Sequence, residues 1–174
     1  PDGVWFVELA PLADPRLVAQ AVASALGVVE ESGRPVQEAL VKHVRDRHLL
    51  LVLDNCEHLA QACAELAKAL LQAGPQVKVL TTSRESLHVA GETTFSVPAL
   101  AVPQPHRALT VAALTQYESV RLFVDRALAA QPAFSLNEKN APAIAAICHT
   151  LDGIPLALEL AAARQEPAAL EHRI

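Results

Sequence analysis

The chain has 174 residues, enough for one ordinary hydrophobic core and a small satellite unit. Apolar residues make up 52% and charged residues 19%, a balance that excludes disorder, and with aromatics at only 3% the packing falls to Ala, Leu and Val. A formal charge of -5 with a pI near 5.8 offers no basic footprint for a nucleic-acid backbone, and no apolar run reaches membrane-spanning length. A cytoplasmic location without membrane contact is therefore expected, with any DNA contact made by domains outside these residues.

Val4-Trp5-Phe6-Val7-Glu8-Leu9 is short and rich in β-formers, which predicts a strand. Asp14-Pro15 supplies an N-cap with proline at the first helical position, and Leu17, Val18, Ala21, Val22 and Ala25 form a helical stripe ending at Gly27. A second helix is expected from Pro35 to about Arg47, with Val36, Leu40 and Val44 on one face. The apolar run Leu49 to Leu53 follows as a strand and ends in Asp54-Asn55-Cys56-Glu57-His58. From about Glu57 to Ala73, Leu59, Cys63, Leu66 and Leu70 recur at helical spacing until Gly74-Pro75 stops the pattern.

Val77 to Thr82 is the next strand, ending in Thr81-Thr82-Ser83-Arg84, and Thr93 to Val97 is a weaker strand candidate. Pro98, Pro103 and Pro105 punctuate a connector, beyond which the pattern is helical only. Thr115-Gln116-Tyr117-Glu118 and Ser135-Leu136-Asn137-Glu138 have capping-box form, the first leading into Val120, Phe123, Val124 and Ala127, the second into Ile144, Ile147 and Leu151. Gly153-Ile154-Pro155 interrupts before a last helix from Leu156 to Ala163. The expected organisation is an α/β domain over residues 1–103 and a helical subdomain over residues 104–174.

Two buried strands that deliver a carboxylate, Asp54, and a hydroxyl-rich tip ending in Arg84 carry what a nucleoside triphosphate site needs. The acid can hold Mg²⁺ through water, and the guanidinium can meet a terminal phosphate. No G-x-x-x-x-G-K-[ST] phosphate loop occurs in the chain, however. The absence of methionine and the abrupt start at Pro1-Asp2-Gly3 suggest a piece of a longer protein. Cys56, Cys63 and Cys148 form an odd set in helix-like surroundings, which suits buried reduced thiols. A zinc site at Cys56, His58 and Cys63 would lack paired ligand spacing and a fourth ligand.

Three motifs in this order, Leu49 to Leu59, Leu80-Thr81-Thr82-Ser83-Arg84 and Leu151 to Leu158, resemble the Walker B, sensor 1 and GxP motifs of the STAND signal-transduction ATPases. The branch they resemble is the NB-ARC-like one of bacterial LuxR-type and SARP-type transcriptional regulators. The resemblance runs from Val4 to about Ala163. It implies a P-loop NTPase-like parallel sheet lacking its first strand and P-loop, followed by a helical lid. It also implies an ATP/ADP-binding switch that self-associates, at most a slow ATPase in the parent protein and inactive in this piece without its Walker A loop. In the family's strand order, the three strands read here remain contiguous and the sensor strand is left with an open edge. Thr93 to Val97 is then expected to slide against that edge, or a second chain to pair there.

Carried onto this sequence, the resemblance makes Asp54 the Mg²⁺-organising carboxylate, Arg84 the phosphate sensor and Pro155 the proline that packs on adenine. Asn55 stands where related strands carry a second acid. An amide orients water but accepts no proton at neutral pH, so proton transfer would fall to Glu57. Each residue has a plainer role as well: Asp54 or Asn55 as a helix cap, Glu57 as a first-turn acid complementing a helix dipole, Arg84 as half of a surface ion pair, and Pro155 as an ordinary helix start. Thr81, Thr82 and Ser83 could orient water or satisfy backbone groups at the strand end. The alternative function is a non-hydrolysing interaction scaffold on the same fold.

Overall fold

The computed structural model describes residues 1–29, 33–104 and 110–164. It divides into two compact units between Phe95 and Ser96.

The first unit is built on three parallel strands, β1 (Val4–Glu8), β2 (Leu50–Asp54) and β3 (Lys78–Thr81), in the order β1-β2-β3. Between β1 and β2 run a short 3-10 turn (Pro15–Leu17), α1 (Val18–Leu26) and α2 (Val36–Val44); between β2 and β3 run a 3-10 turn (Glu57–Leu59) and α3 (Ala60–Ala73). Asp14 caps the first turn, its carboxylate accepting from the Arg16 N–H, and Gly27 ends α1 with a left-handed φ of 68°. Both crossovers step in the same direction, and right-handed crossovers of that kind place their helices on one face of a sheet.

Side-chain alternation agrees with that placement. The register aligns Trp5 with Leu51 and Val79, and Val7 with Leu53 and Thr81. Trp5, Val7, Leu51, Leu53 and Val79 belong to a core shared with Val18, Val22, Leu40, Val44, Cys63, Leu66 and Leu70 of the three helices. Each leucine buried there contributes about 1.5–3 kcal/mol, which makes the sheet-helix layer the main source of the unit's stability. The opposite face is different. The row Phe6, Val52 and Leu80 is aligned in register, yet Phe6 is 61% and Leu80 54% exposed. Parallel sheets are ordinarily covered on both faces.

In the second unit α5 (Glu118–Ala130) packs on α6 (Ala141–Thr150) and α7 (Pro155–Ala163), and the short α4 (Val111–Leu114) packs on α6. Val120, Phe123 and Ala127 meet Ile144, Cys148 and Leu158 in its core. The proline-punctuated connector expected to end the first domain near residue 103 belongs to this helical unit. The Leu100 N–H donates to the Gly153 carbonyl, and buried Ser119 donates from its hydroxyl to the Ala101 carbonyl at 2.6 Å.

Several expectations are corrected. Thr93 to Val97 forms no strand: it is irregular and exposed throughout, with Phe95 at 83%, and does not pair with β3, which is an edge strand among the described residues. Its β-formers find no ladder to join, so propensity alone leaves them in solvent. The capping boxes also dissolve. The Thr115 hydroxyl turns back to the Ala112 carbonyl at the end of α4, and α5 starts at Glu118 without a side-chain cap. Asn137 and Asn140 build a local turn before α6, with Ser135 contributing only its carbonyl. The helix expected from Pro35 to Arg47 is shorter, and the one expected from Glu57 opens as a 3-10 turn. Residues 165–174 lie outside the described residues.

Candidate functional site

The carboxyl ends of β2 and β3 lie side by side, and four hydrogen bonds from one residue, Thr82, join them. Its N–H donates to the Leu53 carbonyl at 3.0 Å, and its carbonyl accepts from the Cys56 N–H at 2.9 Å. Its hydroxyl accepts from the Asn55 N–H at 2.9 Å and donates to Asp54 Oδ1 at 2.5 Å. Thr82 thus bonds four consecutive residues, Leu53 to Cys56. The Leu9 N–H, just beyond β1, donates to the Asp54 carbonyl at 3.0 Å, so all three strand ends converge on Asp54. In open α/β sheets ligands gather at this carboxyl edge.

Asn55 has a φ of 68°, in the left-handed region that asparagine tolerates better than most residues. That conformation turns the chain sharply out of β2 into the Glu57–Leu59 turn. It gives Asn55 a backbone role whether or not its amide meets a ligand.

Glu57 and Arg84, expected as base and sensor, meet each other. Arg84 Nε lies 3.4 Å from Glu57 Oε1, with the arginine side chain 88% exposed. Ser83 serves the local turn, its hydroxyl accepting from the Glu85 N–H. The His58 ring bonds the Leu12 carbonyl through Nε2 at 2.8 Å.

Beneath the turn, Cys56 and Cys63 are free thiols without solvent exposure. The hydrogen bond to Cys63, then burial, pushes the Cys56 thiol up, and Cys56 Sγ also bonds the Leu53 carbonyl at 3.4 Å. Both act as packing and hydrogen-bonding groups. In the second unit, burial raises the Cys148 thiol to about 11.

Pro155 belongs to the second unit, where it is exposed at the first position of α7. Gly153 before it is buried at φ 67°, and a Cβ there would collide with the Leu100 carbonyl. The glycine of this motif is therefore required by close backbone approach.

Two surface concavities of the first unit, of about 380 and 620 Å³, lie along α2 and do not reach Asp54. Among the described residues no cluster of three or more His, Cys, Asp or Glu side chains could hold a metal ion, so a cation at Asp54 would need oxygens from elsewhere. Mg²⁺ suits that donor set, because it is ordinarily held by one or two carboxylates, waters and phosphate oxygens. Sequence reasoning singled out Asp54 and Arg84 and gave Thr82 only the roles of orienting water or satisfying strand-end backbone groups, without a link to Asp54. A threonine at a strand end is common, and its reach to Asp54 depends on the β2-β3 register.

No protein-family model matches the chain. It is 44% identical over 163 residues to "Putative HTH-type transcriptional regulator Rv0890c" of Mycobacterium tuberculosis and equally to a protein given the same kind of name in Mycobacterium bovis. The match covers 94% of this chain but 17% of those proteins. It is also 38% identical to an "Uncharacterized protein" of M. tuberculosis over 94% of this chain and 38% of that protein. The chain therefore spans well under half the length of these relatives. No helix among the described residues is long and apolar enough to cross a membrane.

Proposed function

We propose that this chain is the larger part of a nucleotide-binding switch domain, of the STAND NB-ARC-like class, within a bacterial transcriptional regulator. The observation that carries the reading is the convergence of Asp54 and Thr82, with Arg84 two residues further on, at the carboxyl edge of neighbouring parallel strands. The names and lengths of the mycobacterial relatives support a regulator with much chain outside this region.

The open edge of β3 and the bare Val4, Phe6 and Leu80 face support the same reading. A strand beside β3, followed by a helix crossing back toward β1, would run opposite to the existing crossovers. A right-handed connection would then cover the bare face. In the class proposed, that strand and helix flank the phosphate loop. When bound, the nucleotide with Mg²⁺ would supply the charge that Asp54 and Arg84 meet, and its binding state would set self-association.

Asn55 in place of a second acid favours slow hydrolysis or none over an efficient ATPase. The test is titration calorimetry with Mg-ATP on the full-length protein and on this chain. The full-length protein should bind and the isolated chain should bind weakly or not at all. Submicromolar binding by this chain alone would refute the division of the site.

A further inference from the structure

Thr82 is exposed, yet both hydrogen-bonding functions of its hydroxyl are committed to the neighbouring strand. Because it accepts the Asn55 N–H, its own proton is aimed at Asp54 Oδ1, which limits rotation of the carboxylate and leaves Oδ2 uncommitted to Thr82. A hydroxyl serving only to close the turn would need the Asn55 bond alone, since the Cys56 N–H is already met by the Thr82 carbonyl. The additional bond to a carboxylate is what a metal-binding acid requires of its supporting shell.

We propose that Thr82 is a positioning residue that holds Asp54 for the hydrated divalent cation of a metal-nucleotide complex. This rests on the nucleotide-switch reading. It adds a specific role to a residue whose neighbours alone would suggest strand-end hydrogen bonding.

The test uses the full-length protein as wild type, Thr82→Ser, Thr82→Val, Asp54→Ala and the Thr82→Val/Asp54→Ala double variant. The readouts are the Mg²⁺ concentration giving half-maximal ATP binding, the affinity for ADP without Mg²⁺, and the Mn²⁺ electron paramagnetic resonance signal with ATP. Thr82→Val should raise the Mg²⁺ midpoint about tenfold and broaden the Mn²⁺ signal, while Mg²⁺-free ADP binding stays within about twofold. Thr82→Ser, which keeps the hydroxyl, should stay close to wild type. In the Asp54→Ala background the valine should have no further effect.

An unchanged midpoint in Thr82→Val, equal loss of ATP and ADP binding, or an effect that persists without Asp54 would each overturn the role. If the valine variant fails to fold, Thr82→Ala carries the same expectation with less bulk at the strand end. A wild-type protein that binds no nucleotide would remove the switch reading itself, whereas binding insensitive to Thr82 would remove only this inference.

Discussion

Arg84 Nε sits 3.4 Å from Glu57 Oε1, so the guanidinium expected to sense phosphate and the acid expected to act as base are each other's partner. An ion pair this exposed is worth no more than about 1 kcal/mol, whereas a charged hydrogen bond to phosphate is worth about 1.5–3 kcal/mol. A phosphate should therefore displace Glu57. In the full-length protein, Glu57→Gln is expected to strengthen ATP binding by about threefold, leave ADP unchanged and spare any turnover. A loss of turnover of about a hundredfold at unchanged affinity would instead make Glu57 a general base.

Asn55 tests whether the residue after Asp54 acts through its backbone or its amide. Its φ of 68° predicts that Asn55→Gly is nearly neutral for stability, while Asn55→Ala costs about 1 kcal/mol. Chemical denaturation measures both. If nucleotide binding tracks stability across the two variants, the role is conformational; if Asn55→Gly folds normally but loses ATP, the amide itself meets the ligand.

Gly153 and Gly27 both have left-handed φ, but only at Gly153 would a Cβ strike backbone, the Leu100 carbonyl; nothing lies within 4 Å at Gly27. Gly153→Ala should therefore destabilise by about 2 kcal/mol or more, and Gly27→Ala by about 1 kcal/mol. Thermal unfolding of the two variants should rank them in that order. The reverse ranking would contradict the packing described around the Gly153-Ile154-Pro155 motif.

His43 on α2 is held below its ordinary value of 6.5 by burial and then by Arg47. The folded protein therefore takes up this proton less readily than the unfolded chain. Its contribution to stability is complete above about pH 6.5 and is lost as the pH falls through that value toward the lower folded pKa. Urea midpoints between about pH 7.5 and 5 should fall less steeply for His43→Gln than for wild type. Identical slopes would show that His43 is not the group responsible.

Much of the first unit was legible because period and punctuation agree. Leu59, Cys63, Leu66 and Leu70 recur at helical spacing before Gly74, and all four are buried. Leu49 to Leu53 is apolar throughout, as a strand with neighbours on both sides requires. Thr93 to Val97 was the weaker strand candidate; a strand needs a partner, and its sequence carries no information on whether one is present. The capping boxes misled for a related reason: Thr115 and Ser135 had other local hydrogen-bonding choices, and the neighbouring turns decided among them. At the site, Asp54 and Arg84 were visible as residue types at strand ends. The Thr82 contact and the Glu57–Arg84 pair required the parallel register and the turn at Asn55.

Organisation of a metal-nucleotide complex by Asp54 is put to the test by Asp54→Ala in the full-length protein. ATP with Mg²⁺ and ADP without it should be titrated side by side, with circular dichroism to establish the fold. Asp54 would hold a cation whose charge offsets that of the triphosphate, so removing the carboxylate should be felt most by ATP with Mg²⁺. Binding of Mg-ATP should weaken at least about tenfold, with ADP binding nearly unchanged. Equal loss for both nucleotides, or no loss for either in a folded variant, would contradict it.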